Sequence, residues 1–183
     1  GVGDTPVEEE SNRRDWAEED FARPAIRGGA VRGRVLHKLL EEILTGELVE
    51  DAEMLEARAG ELLGQLGEEP VDDPAKGFSP REMAAVVTAT LAMPEIAGVR
   101  GRLVPELAVY GGQVDSGESN RETATAGIAD AVVLDESGRI TLVIDWKSDV
   151  APAGERRGKY RRQVSDYLAV TGAKKAMLVY LSL

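Results

Sequence analysis

The sequence predicts a fold of the α+β or mixed α/β class, in which helices flank a short mixed sheet. Apolar residues recur at helical spacing in the first half of the chain, whereas short β-rich runs follow from residue 103 onward. A hairpin signal, Asp135-Glu136-Ser137-Gly138, separates two of those runs. The expected element order is therefore three helices, three strands, a helix and a strand.

Three helices are expected in the first half. An apolar stripe predicts the first over residues 30–45, ended by Gly46. Leucines recur in the second, about 48–66, beneath a heavily acidic outer face. The third begins at Ser79-Pro80-Arg81-Glu82, a capping box with proline at the first helical position, and extends to about Met93.

The second half supplies the sheet. Four strands are expected, with a polar loop after the first and a helix before the last: strands 103–110, 125–134, 140–146 and 176–183, loop 111–122 and helix 156–171. Gly172 is the expected helix end. Residues 1–29 are rich in Gly, Pro and acidic residues without any period, so we expect an irregular linker followed by one domain over 30–183.

Composition excludes several classes of protein. The 183 residues include no cysteine, which excludes disulfide scaffolds, zinc knuckles, iron–sulfur clusters and thiol nucleophiles. No apolar run reaches the roughly 18 residues that span a bilayer. We therefore expect a soluble protein without a membrane partner, while the lack of cysteine does not determine its compartment.

Net charge argues at first against a nucleic-acid partner. Lys and Arg number 22 against 33 Asp and Glu, giving −11, whereas phosphate binding usually requires a basic surface. The charge is uneven, however, because residues 21–40 contain basic groups only. The densest basic cluster lies in the late helix: Arg156, Arg157, Lys159, Arg161 and Arg162. The acidic balance therefore does not exclude DNA.

The predicted hairpin brings acidic side chains together. Asp145 and Lys147 are two residues apart and share one face of a strand, while Trp146 faces the other side. With a turn of two or four residues, Asp130 lies opposite Val143 or Asp145 and joins that face; a three-residue turn would put it on the wrong side. Two carboxylates and a lysine form a site suited to Mg²⁺ or Mn²⁺, and to phosphodiester hydrolysis.

Each signal alone also fits a simpler interpretation. Asp145 and Lys147 could be solvated charges at a strand end. His37, at the edge of the first apolar stripe, could be structural or exposed, and Glu106 could be an edge-strand charge. On the late helix, Tyr160, Gln163 and Tyr167 fall on one face, which fits either core packing or stacking against nucleic-acid bases.

Taken together, the motifs resemble a known family. The order Gly33-x-x-x-His37-x-x-x-Glu41, Glu106, Gly127-Ile128-Ala129-Asp130, Asp145-Trp146-Lys147 and Tyr160-x-x-Gln163-x-x-x-Tyr167 is similar to the PD-(D/E)XK nuclease superfamily, specifically its RecB/AddA-type exonuclease domain. The resemblance covers about residues 30–183. It implies a restriction-endonuclease-like core and a Mg²⁺-dependent deoxyribonuclease, with Mn²⁺ as an alternative metal.

The resemblance also implies roles for individual residues. His37, Asp130, Asp145 and the Trp146 backbone carbonyl would hold the metal, and Glu106 would lie behind them or bind a further ion. Lys147 would be the catalytic lysine. Residues of the late helix would contact the DNA strand: Tyr160, Gln163, Tyr167, and the basic Arg157 and Arg161.

The family context adds expected partners. Because cysteine is absent, relatives with an iron–sulfur staple do not fit, which leaves the cluster-free RecB or AddA type. That type implies single-stranded DNA as substrate, an upstream helicase part of the same polypeptide and an AddB-type partner subunit. It also implies a cytoplasmic, nucleoid-associated protein with a place in double-strand-break repair and recombination. Two alternatives stay open: a non-cutting DNA-binding or scaffolding module of such a complex, and a stand-alone nuclease of the same fold.

Overall fold

The computed structural model describes residues 26, 28–114, 122–148 and 154–183. The side chains of residues 110–114, 122–126, 154–159 and 161 lie outside that description. The linker predicted over 1–29 also lies outside it, apart from residues 26, 28 and 29.

The described residues form five helices and four strands in a mixed α+β fold, which confirms the predicted class. The elements are α1 (Ala30–Thr45), α2 (Ala52–Gln65), α3 (Pro80–Ala92), α4 (Pro94–Ala97), β1 (Leu103–Val114), β2 (Glu122–Leu134), β3 (Ile140–Lys147), α5 (Gly154–Thr171) and β4 (Lys175–Tyr180). The short α4 and a 3-10 turn over Arg100–Arg102 were not expected from the sequence. Among the described residues, no helix is long and apolar enough to cross a bilayer.

The four strands form one sheet in chain order. β1 pairs with β2 and β2 with β3 in antiparallel fashion, whereas β4 lies parallel to β3 after the α5 crossover. Neighbouring residues on the central strands point to opposite faces. Val133 and Ile144 join the apolar cluster under α1 and α3, and Val132 and Val143 join the cluster under α5. The sheet is therefore covered by helices on both sides.

Several element bounds differ from the sequence prediction. The helix predicted from residue 48 begins at Ala52, because the Asp51 carboxylate accepts the Glu53 and Met54 N–H groups and caps it. The loop predicted over 111–122 was wrong at both ends, because β1 and β2 continue their ladder as far as the pair Val114 and Glu122. The last strand ends at Tyr180, not at residue 183.

The turn between β2 and β3 is longer than the two-residue and four-residue turns that would place Asp130 on the face of the predicted site. Five residues separate the pair Leu134 and Ile140, an odd number that would by itself direct Asp130 to the wrong face. The register then shifts between Val133 and Leu134, which leaves Thr141 without a partner in the ladder. This β-bulge restores the register that the site requires.

A buried ion pair joins α1 to α3 and to the ends of β3 and β4. Arg32 is 1% exposed, and its guanidinium donates to both Glu82 carboxylate oxygens, at 3.3 and 2.6 Å. The same guanidinium donates to the Leu181 carbonyl at 3.1 Å and the Ser148 carbonyl at 3.4 Å. Ser79 caps α3 as predicted, but the Glu82 carboxylate that a capping box would use binds Arg32.

Removing the buried carboxylate should destabilise the domain strongly. Glu82→Ala leaves the Arg32 charge buried without its partner, so we expect the free energy of unfolding to fall by about 3–5 kcal/mol. Equilibrium unfolding in urea measures this change. Glu56→Ala is the matched control, because the Arg81–Glu56 pair is exposed and should contribute at most about 1 kcal/mol. Equal losses in both variants would contradict a structural role for the buried pair.

Candidate metal centre

The candidate site lies where the ladder between β2 and β3 ends. The last pair of the ladder joins Ala131 to Ile144, so one further residue on each strand sets Asp130 opposite Asp145. This is one of the two placements that the sequence predicts. His37 approaches from α1 and Glu106 from β1, and the site therefore draws on four elements.

The Asp130 carboxylate links the strands to the helix. Its Oδ2 accepts the Trp146 backbone N–H at 2.7 Å, and its Oδ1 lies 3.3 Å from His37 Nδ1. A side chain thus replaces the backbone carbonyl that would otherwise pair with Trp146. Asp130 is thereby fixed in one orientation, with Oδ1 directed toward His37.

His37 is held between two acceptors. Its Nε2 lies 3.1 Å from the Trp146 carbonyl oxygen, while Nδ1 faces Asp130. Burial alone lowers the pKa of His37, but the Asp130 carboxylate, the Trp146 carbonyl and Glu106 together raise that pKa above its ordinary value. Asp130 therefore orients the ring, whereas Glu41, one helical turn after His37, binds Lys38 at 3.1 Å.

Glu106 occupies an unusual backbone position. The β1–β2 register sets it opposite Asp130, but the ladder skips this pair, and Glu106 adopts φ 51°. It is the one non-glycine residue with positive φ in the described part of the chain. Left-handed backbone is unfavourable for a glutamate and clusters at functional sites. Desolvation and the negative charges of Asp130 and Glu41 raise the pKa of Glu106.

These side chains form a potential ligand set. One donor atom each from His37, Glu106 and Asp130 lies within 4.8 Å of the other two. Carboxylate oxygens suit Mg²⁺ and Mn²⁺, and an imidazole nitrogen can complete such a set when it is neutral. Desolvation and the nearby Asp130 charge both disfavour the ionised form of Glu106, a penalty that a bound cation would offset. The three residues therefore fit a divalent cation.

Asp145 is buried beside this cluster and paired with Lys147. Its Oδ2 lies 2.5 Å from Lys147 Nζ, so the ammonium group is its partner. Burial raises the pKa of Asp145, against the opposing effect of the ammonium group. The sequence placed Asp145 among the metal ligands, whereas the closest three-residue cluster contains Glu106 instead.

The late helix reaches the same site through Lys147. Gln163 Oε1 accepts from Lys147 Nζ at 2.9 Å, and the Tyr160 ring centre lies 4.3 Å from that nitrogen. Tyr167 follows on the same helix face, 3.5 Å from Gln163 Nε2. The three side chains therefore lie together as predicted. Gln163 and Tyr160 contact Lys147, and Tyr167 contacts Gln163. The side chains of Arg157 and Arg161 lie outside the described residues.

A cavity of about 450 Å³ opens beside His37 and Glu106 on the α1 side. Two cationic residues on its wall, Arg34 and Lys38, were not predicted as site residues. Arg34 and Lys38 are four residues apart, one helical turn, and His37 lies between them in the sequence. This spacing, within a stretch free of acidic residues, is the signal that could have identified them. α1 comes so close to the end of β3 here that a Cβ on Gly33 would lie 2.6 Å from Ser148 Oγ.

Comparisons with known proteins leave the family open. No family model matches the chain, and no curated protein matches it. A solved structure titled "Crystal structure of SSO0001" is similar, at 18% identity and a TM-score of 0.37, over 84% of this chain and 73% of that one. A likeness at this level carries no argument about function.

The strain at Glu106 leads to a stability prediction. Asparagine tolerates left-handed backbone better than glutamate, and Glu106→Asn also removes a negative charge near Asp130. We expect the free energy of unfolding, without added metal, to rise by about 1 kcal/mol in urea titrations. Glu69→Asn makes the same exchange at an exposed site with ordinary φ, and it should change stability by less than about 0.5 kcal/mol. A lower free energy of unfolding in Glu106→Asn would contradict the claim that the backbone at Glu106 is strained.

Proposed function

We propose that this domain is a divalent-metal-dependent nuclease that hydrolyses DNA phosphodiester bonds. One observation carries the proposal: His37, Glu106 and Asp130, from α1, β1 and β2, converge within 4.8 Å of one another beside the buried Asp145–Lys147 pair. Residues so far apart in the chain meet here although desolvation and the neighbouring carboxylates disfavour the ionised form of Glu106 and raise its pKa. Function at a strained, charged cluster is the interpretation that accounts for this cost.

The chain's own groups suit the stabilisation of a phosphodiester under attack. His37, Glu106 and Asp130 would hold the cation, and Asp145 is near enough to influence His37 electrostatically. When bound, a divalent cation lowers the pKa of a water and offsets charge on a phosphate oxygen. Lys147, 13% exposed at its side chain, places a positive charge beside this cluster, where it would neutralise charge developing on the phosphate.

The cavity beside the site accounts for how an acidic chain would bind a polyanion. Arg34 and Lys38 line it on the same side as His37 and Glu106, together with Glu41, which binds Lys38 at 3.1 Å. Contacts of lysine and arginine with phosphates position nucleic acid without reading its sequence. The net charge of −11 then predicts weak, salt-sensitive binding, in which local basic groups act against the overall field.

The finer assignment rests on the resemblance of the motifs. It is an exonuclease that degrades single strands delivered by a helicase part of the same polypeptide, with an AddB-type partner, during double-strand-break repair and recombination. Mg²⁺ is the proposed metal and Mn²⁺ an alternative. What supports this assignment is the order of His37, Glu106, Asp130, Asp145-Trp146-Lys147 and the tyrosine–glutamine helix along the chain.

Asp145→Ala tests the proposed chemistry. We expect Mg²⁺-dependent cleavage of an end-labelled single-stranded oligonucleotide to fall by roughly a thousandfold or more, because the carboxylate beside the metal ligands is lost. Circular dichroism should show an intact fold.

Asp72→Ala is the matched control, since it removes an exposed loop aspartate remote in sequence from the site. Its cleavage rate should equal that of the native chain. Cleavage retained by Asp145→Ala at matched purity and metal concentration would show that the activity does not come from this site.

A further inference from the structure

Gln163 uses both ends of its side-chain amide within the protein. Its Oε1 accepts from Lys147 Nζ at 2.9 Å, and its Nε2 lies 3.5 Å from the Tyr167 hydroxyl oxygen. A lysine ammonium can only donate, so the amide oxygen has to face Lys147 and the amide nitrogen has to face Tyr167. The orientation of this amide is therefore determined by chemistry, not only by fit.

Tyr167 completes the chain of hydrogen bonds. Its hydroxyl donates to the Ile128 backbone carbonyl at 2.8 Å, so its oxygen is available to accept from Gln163. Ile128 lies on β2, two residues before Asp130. The hydrogen bonds thus run from the lysine on β3, through α5, to the backbone of the strand that carries Asp130.

We propose that Gln163 and Tyr167 are positioning residues that hold the Lys147 ammonium beside the metal cluster, and that they do not act as strand-binding residues. This inference rests on the proposed nuclease function, within which Lys147 is the catalytic lysine. The family resemblance implies contact with DNA for both side chains, and the positioning role replaces that assignment.

Lys147 needs such support because its stem is long and flexible. An ammonium group with four carbons behind it can adopt many positions, and its nearest anion, Asp145 at 2.5 Å, would draw it toward one side. Gln163 supplies a neutral acceptor, and the Tyr160 ring covers the ammonium at 4.3 Å. Tyr167 acts one step further away, by preventing the Gln163 amide from rotating.

If Gln163 and Tyr167 only position Lys147, substituting them should affect kcat and not the binding of DNA. Both ends of the Gln163 amide are directed at groups of the protein, Lys147 and Tyr167, so its orientation does not depend on a DNA strand. Loss of either positioning residue should therefore lower kcat and leave KM for DNA nearly unchanged, as for groups that act on the transition state alone.

Steady-state kinetics with a single-stranded oligothymidylate and Mg²⁺ measure this separation. We expect kcat to fall about tenfold in Tyr167→Phe and about a hundredfold in Gln163→Leu, with KM within about twofold of the native value. Gln163→Glu keeps an oxygen facing Lys147 and should recover about tenfold over Gln163→Leu. Tyr180→Phe loses a hydroxyl that makes no hydrogen bond to any described residue, and it should leave both constants unchanged. A raised KM with unchanged kcat in the Gln163 or Tyr167 variants would overturn the proposal.

A spectroscopic readout tests the positioning without relying on cleavage. In ¹H–¹⁵N spectra of the full chain at low temperature, a held ammonium gives a slowly exchanging side-chain signal, assigned to Lys147 by its absence from Lys147→Met. We expect that signal in the native protein and in Tyr180→Phe, and its loss in Gln163→Leu. If it is missing from the native protein, or persists in Gln163→Leu, the positioning role is wrong. If it behaves as expected but the native chain cleaves no DNA, the positioning stands and the proposed function fails.

Discussion

The site depends on one carboxylate that closes a gap in the sheet. Where the ladder between β2 and β3 ends, Asp130 Oδ2 accepts the Trp146 N–H at 2.7 Å and Oδ1 faces His37. This bond keeps β3 close to β2 beyond the last ladder pair, so that Asp145 and Lys147 stay level with Asp130. Without it, the strands could separate where the charged groups have to converge. Asp130 is therefore both a structural element of the sheet and the centre of the candidate ligand set.

The position of α1 is fixed by a buried charge, that of Arg32. Arg32 binds Glu82 on α3 together with the carbonyls of Ser148 and Leu181, which follow β3 and β4. His37 lies on the same helix, little more than one turn later, so the clamp that seats α1 also sets the approach of the imidazole to Asp130. A fully buried arginine is costly to desolvate, and it is retained here with four acceptor atoms around it.

Alternation along the strand was sufficient to place Asp145 and Lys147 on one face, because side chains in a strand alternate regardless of their surroundings. Whether Asp130 joins that face depends on the turn. The turn length was not predictable in the same way. The five-residue connection is compensated by a bulge at Thr141, a tertiary feature without a clear sequence signal. Helical spacing grouped Gln163 with Tyr167 but could not say what that face meets. The buried role of Arg32 was hidden among the basic residues of 21–40, and the partner of His37 depended on how α1 docks. Interactions across long sequence distances therefore account for most of what the sequence did not predict.

Cation binding tests the central claim most directly. Isothermal titration calorimetry of the full chain with Mn²⁺ alone should show saturable binding, and Asp130→Asn should abolish it. The asparagine oxygen can still accept the Trp146 N–H, so this variant removes the charge while preserving the bond that holds the strands together. Binding in the native chain that is lost in Asp130→Asn would support the metal centre. No Mn²⁺ binding by the native chain, or equal binding by the folded variant, would contradict it.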